Sequence, residues 1–357
     1  MNRQARAVID FAALQHNFQR VKQLAPSSRI MAVIKADAYG HGMLQVAQAL
    51  HQADAFAVAQ LAEARTLRDA GIDKPLLVFQ GFNNLHELEQ MAQLDIMPVV
   101  HQDWQAGLIE ASALSLSIWL KVNTGMGRLG IQPQDVVGIW QRLAAKSSIQ
   151  LMGLMSHFAN ADVPTHESNQ QQIDCFNQLA EQLGTRTSMA NSAGLIAFPE
   201  AQGDWVRPGI MLYGASPIAG RSAASLDLRP VMQLGSRLIA INQLKAGECL
   251  GYGHLWSCPE DMPVGLVAIG YGDGYPRHAT TGTPVSIGGR MVTLLGRVSM
   301  DMIAIDLRGV DSVKPGDEVI LWGKVPAVDD VAECADTIAY ELLCNAGKCR
   351  HNHPDSE

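Results

Sequence analysis

Eight short apolar runs, each followed by a stretch of helical periodicity, restrict this chain more than any other feature. The runs span residues 30–34, 55–59, 76–80, 96–100, 116–122, 151–156, 186–190 and 205–213. Between them apolar residues recur at helical spacing, as in Val136, Trp140 and Leu143, or Ile173, Phe176, Ala180 and Leu183. Strands that alternate with helices build a parallel sheet, because a parallel crossover is long enough to hold a helix. A doubly wound sheet fits such alternation, but a count of eight favours a closed barrel. The punctuation agrees. Asp10 is suited to cap a helix opening at Phe11, and Pro133 stands where a first helical turn tolerates it.

After about residue 227 the pattern changes. Residues 231–242, 264–269, 284–287, 291–295, 302–307 and 318–321 are short β-prone runs bounded by Gly, Pro and Asp clusters. The expected class is α/β: a (β/α)8 TIM-like barrel over residues 1–227, then a mostly β C-terminal domain over 228–357. A last helix is expected over about 328–344, starting near Asp329. At 357 residues the chain has room for two cores, and 47% hydrophobic against 17% charged residues suits a globular protein.

The net charge of -8 is scattered, and the absence of a basic stripe argues against a nucleic-acid partner. No apolar run has the length of a membrane span. Residues 1–23 are amphipathic without a signal-peptide core, so a cytoplasmic protein is expected. Six cysteines without a Cys-x-x-Cys pair do not form a disulfide framework. The tail with Cys344, Cys349, His351 and His353 invites a metal reading, but a tail has little to fix ligand geometry, and no metal is expected.

Barrels gather reactive groups just after the C-terminal ends of their strands. Polar, Gly-punctuated clusters fall there: residues 35–40, 123–130, 157–162, Asn191-Ser192, and Arg207-Pro208-Gly209. Lys35 follows the apolar strand ending at Ile34. A lysine at a barrel mouth can be kept neutral and nucleophilic by desolvation, as attachment to an aldehyde cofactor requires. The bland alternative is a lysine snorkelling from a strand end. Tyr39, Ser192, Gly209 and Ile210 offer hydroxyl or backbone donors after three separate strands, which suits a phosphate. Asn191-Ser192 could equally cap a helix, and Arg207 could be a structural ion-pair partner. Gly270–Gly274 follows a β run with no helix behind it, which argues against a nucleotide loop.

Over nearly its whole length the sequence resembles the bacterial alanine racemases, fold-type III pyridoxal-phosphate enzymes. The match lies in AVIKADAYGHG (32–42), KVNTGMGRLG (121–130), MSHFA (155–159), ANSA (190–193), RPGIMLYG (207–214), Tyr252-Gly253, GYGDGYPR (270–277) and GRVSMD (296–301). The resemblance implies pyridoxal 5'-phosphate as cofactor, a small amino acid as substrate and a homodimer. Lys35 matches the lysine bound to the cofactor aldehyde. Tyr39, Ser192, Gly209, Ile210 and Tyr340 match its phosphate contacts. His157 matches the histidine near the pyridine ring, in a network with Arg207, which faces the ring nitrogen. Arg128 and the Met300 backbone match the holders of the substrate carboxylate. Tyr252 matches the second base, supplied in this family by the partner subunit, and Tyr271, Arg277, Arg297 and Asp301 match residues of the entrance corridor. In some members the lysine matching Lys121 is carbamylated and orients the arginine.

Racemisation needs a proton removed from one face of the α-carbon and returned on the other, which two bases, Lys35 and Tyr252, satisfy. Tyr252→Phe is expected to weigh most on the L-to-D direction. An arginine at the ring nitrogen, unlike an aspartic acid, donates no full proton to it, which limits transamination. A broader or serine racemase is the nearest alternative, and a decarboxylase of this fold type would place an acid where Arg207 stands. A non-catalytic pyridoxal-phosphate carrier would be a lone barrel. The chain departs from the family at Asn123, where many members carry Asp, and at its end, where an Arg-Val-Pro-like strand is replaced by Gly347-Lys348-Cys349 and a polar tail.

Overall fold

A computed structural model describes residues 4–350; His351 and His353 lie outside the described residues. The chain opens with β1 (Arg6–Ile9) and the helix Phe11–Leu24, whose first turn is capped by Asp10 Oδ1 accepting the Ala13 N–H at 2.9 Å. Eight parallel strands follow: β2 (Arg29–Val33), β3 (Ala55–Val58), β4 (Leu76–Val78), β5 (Ile96–Val100), β6 (Leu116–Lys121), β7 (Ile149–Met155), β8 (Thr187–Ser188) and β9 (Trp205–Val206). They pair in the order β8-β7-β6-β5-β4-β3-β2-β9. Side-chain and backbone bonds bring β8 to β9: Ser188 Oγ donates to Trp205 O at 2.9 Å and Arg207 N–H to Ala190 O at 2.9 Å. The barrel predicted from eight runs is the barrel found.

Most of these strands are buried along their length, which is why they read as continuous apolar runs rather than alternating ones. The interior is filled: Trp119 is wholly buried and meets Trp205 edge to face, ring centres 6.2 Å apart. A Cβ on Gly153 would lie 2.5 Å from Arg186 O and 2.7 Å from Trp119, so glycine is needed in β7 at that crossing.

The second half is an antiparallel sheet of β1, β10 (Met232–Leu244), β13 (Met262–Val267), β14 (Pro284–Ile287), β15 (Arg290–Leu295), β16 (Ile303–Asp306) and β17 (Glu318–Trp322), with a separate hairpin of β11 (Cys249–Leu250) and β12 (Trp256–Ser257). Thirteen-residue β10 pairs with β1, β13 and β17, which closes the sheet on itself. Residues 6–9 therefore sit in the β half, although the barrel was expected to begin at residue 1. The last helix is also corrected. It is two helices, Val328–Cys334 and Ala339–Ala346, parted where Asp336 takes a φ of 50°. Among the described residues no disulfide joins the six cysteines, and no helix is long and apolar enough to cross a membrane.

Candidate active site

Lys35 is the second residue beyond β2, and the chain turns there in the wrong hand. Ala36, Asp37, Ala38 and Tyr39 all have φ between 50° and 55°. No glycine eases this left-handed turn, which costs roughly 1–2 kcal/mol per L residue. Its own bonds are helical: Ala38 N–H to Ile34 O at 2.9 Å and Gly40 N–H to Ala36 O at 3.0 Å. Glu63 braces it from the helix Leu61–Asp69, taking the Ala36 N–H on Oε1 at 2.7 Å and the Ala59 and Gln60 N–H groups on Oε2 at 2.8 and 3.0 Å.

The turn presents Lys35 to a cavity of about 470 Å³ at the C-terminal end of the barrel strands. Tyr39, Ser192, Gly209, Ile210 and Tyr340 line one part of it; His157, Arg207, Lys121 and Arg128 line another. At the first part, Ser192 Oγ accepts N–H groups from Gly209 at 2.8 Å and Met211 at 3.4 Å. A Cβ on Gly209 would fall 2.5 Å from the Tyr39 hydroxyl, so the phenol can lie against this backbone only because the residue is glycine. The Tyr39 ring stacks on Tyr213 at 4.7 Å, and Tyr213 is anchored by its hydroxyl to Val33 O at 2.9 Å. Tyr340 approaches Tyr39 at 5.9 Å. Burial pushes Tyr39 well above the ordinary phenol range and Tyr340 up to about 12, so both hydroxyls stay protonated donors.

At the other part, Arg207 is 3% exposed. Its Nη1 donates to Ser188 O at 2.7 Å and Ser188 Oγ at 2.6 Å; its Nη2 donates to Ser156 O at 2.5 Å and His157 Nδ1 at 3.4 Å. Burial lowers it to about 10, which leaves it a cation at neutral pH. Burial, reinforced by Arg207, holds His157 well below the usual imidazole range, so it is neutral with Nδ1 as acceptor. Lys35 is lowered by burial and then by Arg128, while Glu63 opposes the shift. Lys121, ending β6, is lowered to about 8 by burial and then by Arg207, Arg128 and Lys35.

No carboxylate is among the residues lining this cavity, whereas two lysines and two arginines are. Such a site is built for anions, one of them held by hydroxyl and backbone donors and another beside Arg128. A phosphate-bearing aldehyde fits: Tyr39, Ser192 and the Gly209 backbone suit the phosphate, and Lys35 is an amine lowered by burial in the direction nucleophilic attack favours.

The structure leaves other predicted residues apart from this cavity. Tyr252 begins the 3₁₀ turn Tyr252–His254 between β11 and β12 and is 70% exposed; Met300 is 55% exposed. The loop 270–274 meets the loop 296–301, Tyr271 N–H donating to Ser299 O at 3.1 Å and Gly272 N–H to Met300 O at 2.9 Å. Tyr271 and Arg277 line a second cleft, of about 630 Å³, against the two C-terminal helices. Arg297 and Asp301 are exposed. Asn123 Oδ1 takes the N–H groups of Gly127 at 2.9 Å and Gly125 at 3.2 Å, bonds that an Asp could make equally. Sequence reasoning missed Glu63 and Tyr213. Glu63 had a signal, a Glu three residues after a helix-opening position; Tyr213 had none beyond its place in the 207–214 motif.

The chain matches two family models: alanine racemase, N-terminal domain, over residues 9–217, and alanine racemase, C-terminal domain, over residues 231–353. A curated alanine racemase of Coxiella burnetii is 48% identical over 352 residues, covering 96% of each chain. Among solved structures, the biosynthetic alanine racemase of Pseudomonas aeruginosa superposes with a TM-score of 0.93 at 41% identity over 97% of both chains. The alanine racemase of Acinetobacter baumannii gives 0.92 at 41% identity, over 96% of this chain and 97% of the other.

Proposed function

This chain belongs to the alanine racemase family, and on that premise we infer how its cavity and its β half share the reaction. It interconverts L- and D-alanine, and the family is pyridoxal-phosphate dependent. The observation that carries the site assignment is the cavity ringed by Lys35, Lys121, Arg128 and Arg207 with no carboxylate to neutralise them. When bound, the cofactor supplies an electron sink for the charge left on the α-carbon. Tyr39, Ser192, Gly209 and Ile210 would hold its phosphate, with Tyr340 closing that end, and Arg207 would offer a fixed cation to the ring nitrogen, with neutral His157 as its neighbour.

Arg128, with the backbone of Met300, orients the substrate carboxylate. Lys35, its amine lowered from the ordinary lysine range by desolvation and then by Arg128, takes or returns a proton on one face of the α-carbon. Tyr252 serves the other face from the partner subunit of a homodimer. Its exposure on a β-half turn away from its own cavity supports that reading. Tyr271, Arg277, Arg297 and Asp301 border the approach. We propose that two structural units divide near residue 227, the barrel holding the cofactor and the β half, with β1 included, serving the neighbouring site. The test is borohydride reduction of the holoenzyme followed by peptide mapping, with polarimetry on L-alanine. Label at Lys35 and loss of optical purity are expected; label elsewhere would overturn the assignment of Lys35.

A further inference from the structure

The turn that carries Lys35 is fastened from the far end of the chain. Arg350 directs Nη2 to Asp37 Oδ2 at 2.7 Å and Nη1 to Gly40 O at 3.0 Å, across 310 positions of sequence. Its backbone bridges Ala7 in β1. The chains approach too closely for side chains at the contact. A Cβ on Gly40 would run into the Leu343 carbonyl, one on Gly347 into Gly40, and one on Gly42 against the Arg350 guanidinium. Asp37 does two tasks, since its Oδ1 takes the Met43 N–H at 2.7 Å. Next to it, buried His41 sets Nδ1 within 3.1 Å of Ala38 O and 3.0 Å of Tyr39 O and packs on Tyr213 at 4.6 Å.

A left-handed run of four L residues persists only where its surroundings over-determine it. His41 does so from next to it in sequence and Glu63 from the helix Leu61–Asp69. The Asp37 carboxylate on the outer side of the turn is met by Arg350; the arginine is 20% exposed and the carboxylate 53%, so the pair is shielded on the arginine side only, and the second bond, to the Gly40 carbonyl, fixes the guanidinium in place. This is also where the chain departs from the family's usual ending.

We propose that Arg350 is a positioning residue for Lys35. With Asp37 and the Gly40 carbonyl it forms a clasp that keeps residues 36–39 left-handed and so holds the Lys35 amine at the distance proton transfer needs. The inference rests on Lys35 as the reactive amine. Loosening the clasp slows both directions, because Lys35 acts in each, and spares substrate binding at Arg128.

The test uses the full-length enzyme with Arg350→Ala, Arg350→Lys and Asp37→Asn, the last because Asn tolerates the left-handed backbone. Arg350→Ala and Asp37→Asn are expected to raise amide hydrogen exchange in residues 35–42 selectively, and to lower kcat about tenfold with KM within about twofold. Arg350→Lys is expected to recover most of both. Unchanged exchange in 35–42 with unchanged kcat in Arg350→Ala overturns the clasp, as does a loss of protection spread over the whole chain without rescue by Lys. Borohydride labelling of the wild type reports on Lys35 separately, so failure of the clasp and failure of the lysine assignment give different results.

Discussion

At the barrel mouth Lys35, His157, Ser192 and Arg207 turn inward onto one cavity, whereas in the β half Tyr252, Leu255 and Met300 turn outward, each more than half exposed. The β half does send one residue to line its own barrel's cavity, Tyr340 on the helix Ala339–Ala346. A single chain therefore equips one side of the cavity and leaves its other predicted base in solvent. Inward burial sets the charge states of the first group: lysines lowered, phenols raised, His157 neutral. Tyr252 lies on an exposed turn of the β half. The contrast suits a site whose second wall is the same surface of another copy, since a two-fold assembly gives each cavity the partner's turn.

The largest effect that could break this contrast is Tyr252→Phe. Racemisation should fall by roughly 10²–10⁴-fold, the range for loss of a positioned acid or base. Because the two enantiomers are equally stable, kcat/KM must fall equally in both directions. The asymmetry expected at Tyr252 is instead read in α-hydrogen exchange with solvent, which should persist for D-alanine through Lys35 and be lost for L-alanine. Equal exchange of both enantiomers would remove the two-base assignment.

A smaller effect sharpens the barrel side. Lys121 is held near 8 in the folded protein, below its ordinary 10.5. Between those values the unfolded chain keeps a proton that the folded chain lacks, so stability rises with pH across the window and the penalty is complete below about 8. In cofactor-free protein, Lys121→Met should flatten that slope and add about 3 kcal/mol at neutral pH. Urea unfolding at pH 7 and pH 10 measures it, and parallel stabilities for wild type and variant would show that the burial of this cation is not what strains the site.

The barrel was legible because its signal is local. Apolar runs and helical spacing repeat eight times, and the runs fall on β2 to β9 with most ends shifted by one or two residues. The run at 205–213 contains Pro208, which cannot donate to a ladder, and the strand stops at Val206 before a 3₁₀ turn. Long-range pairings were not legible. β1 is four residues whose partner, β10, lies more than 220 positions away. The site residues were named through motifs, but the left-handed turn was not foreseen. Ala36-Asp37-Ala38-Tyr39 carries no glycine to announce it, and the contacts that hold it, from Glu63 and Arg350, come from elsewhere. Nor does a sequence tell Tyr340, reaching its own barrel, from Tyr252, facing out.

Mixing two disabled variants addresses the shared site most directly. Lys35→Ala and Tyr252→Phe should each be defective alone, but in the proposed homodimer a mixed pair would join the intact Lys35 of one chain to the intact Tyr252 of the other. After the subunits are dissociated together and reassembled at random, about a quarter of wild-type racemisation should return, one sound site in each of the half that are mixed. Activity no greater than the average of the two pure variants would contradict a site built across two chains.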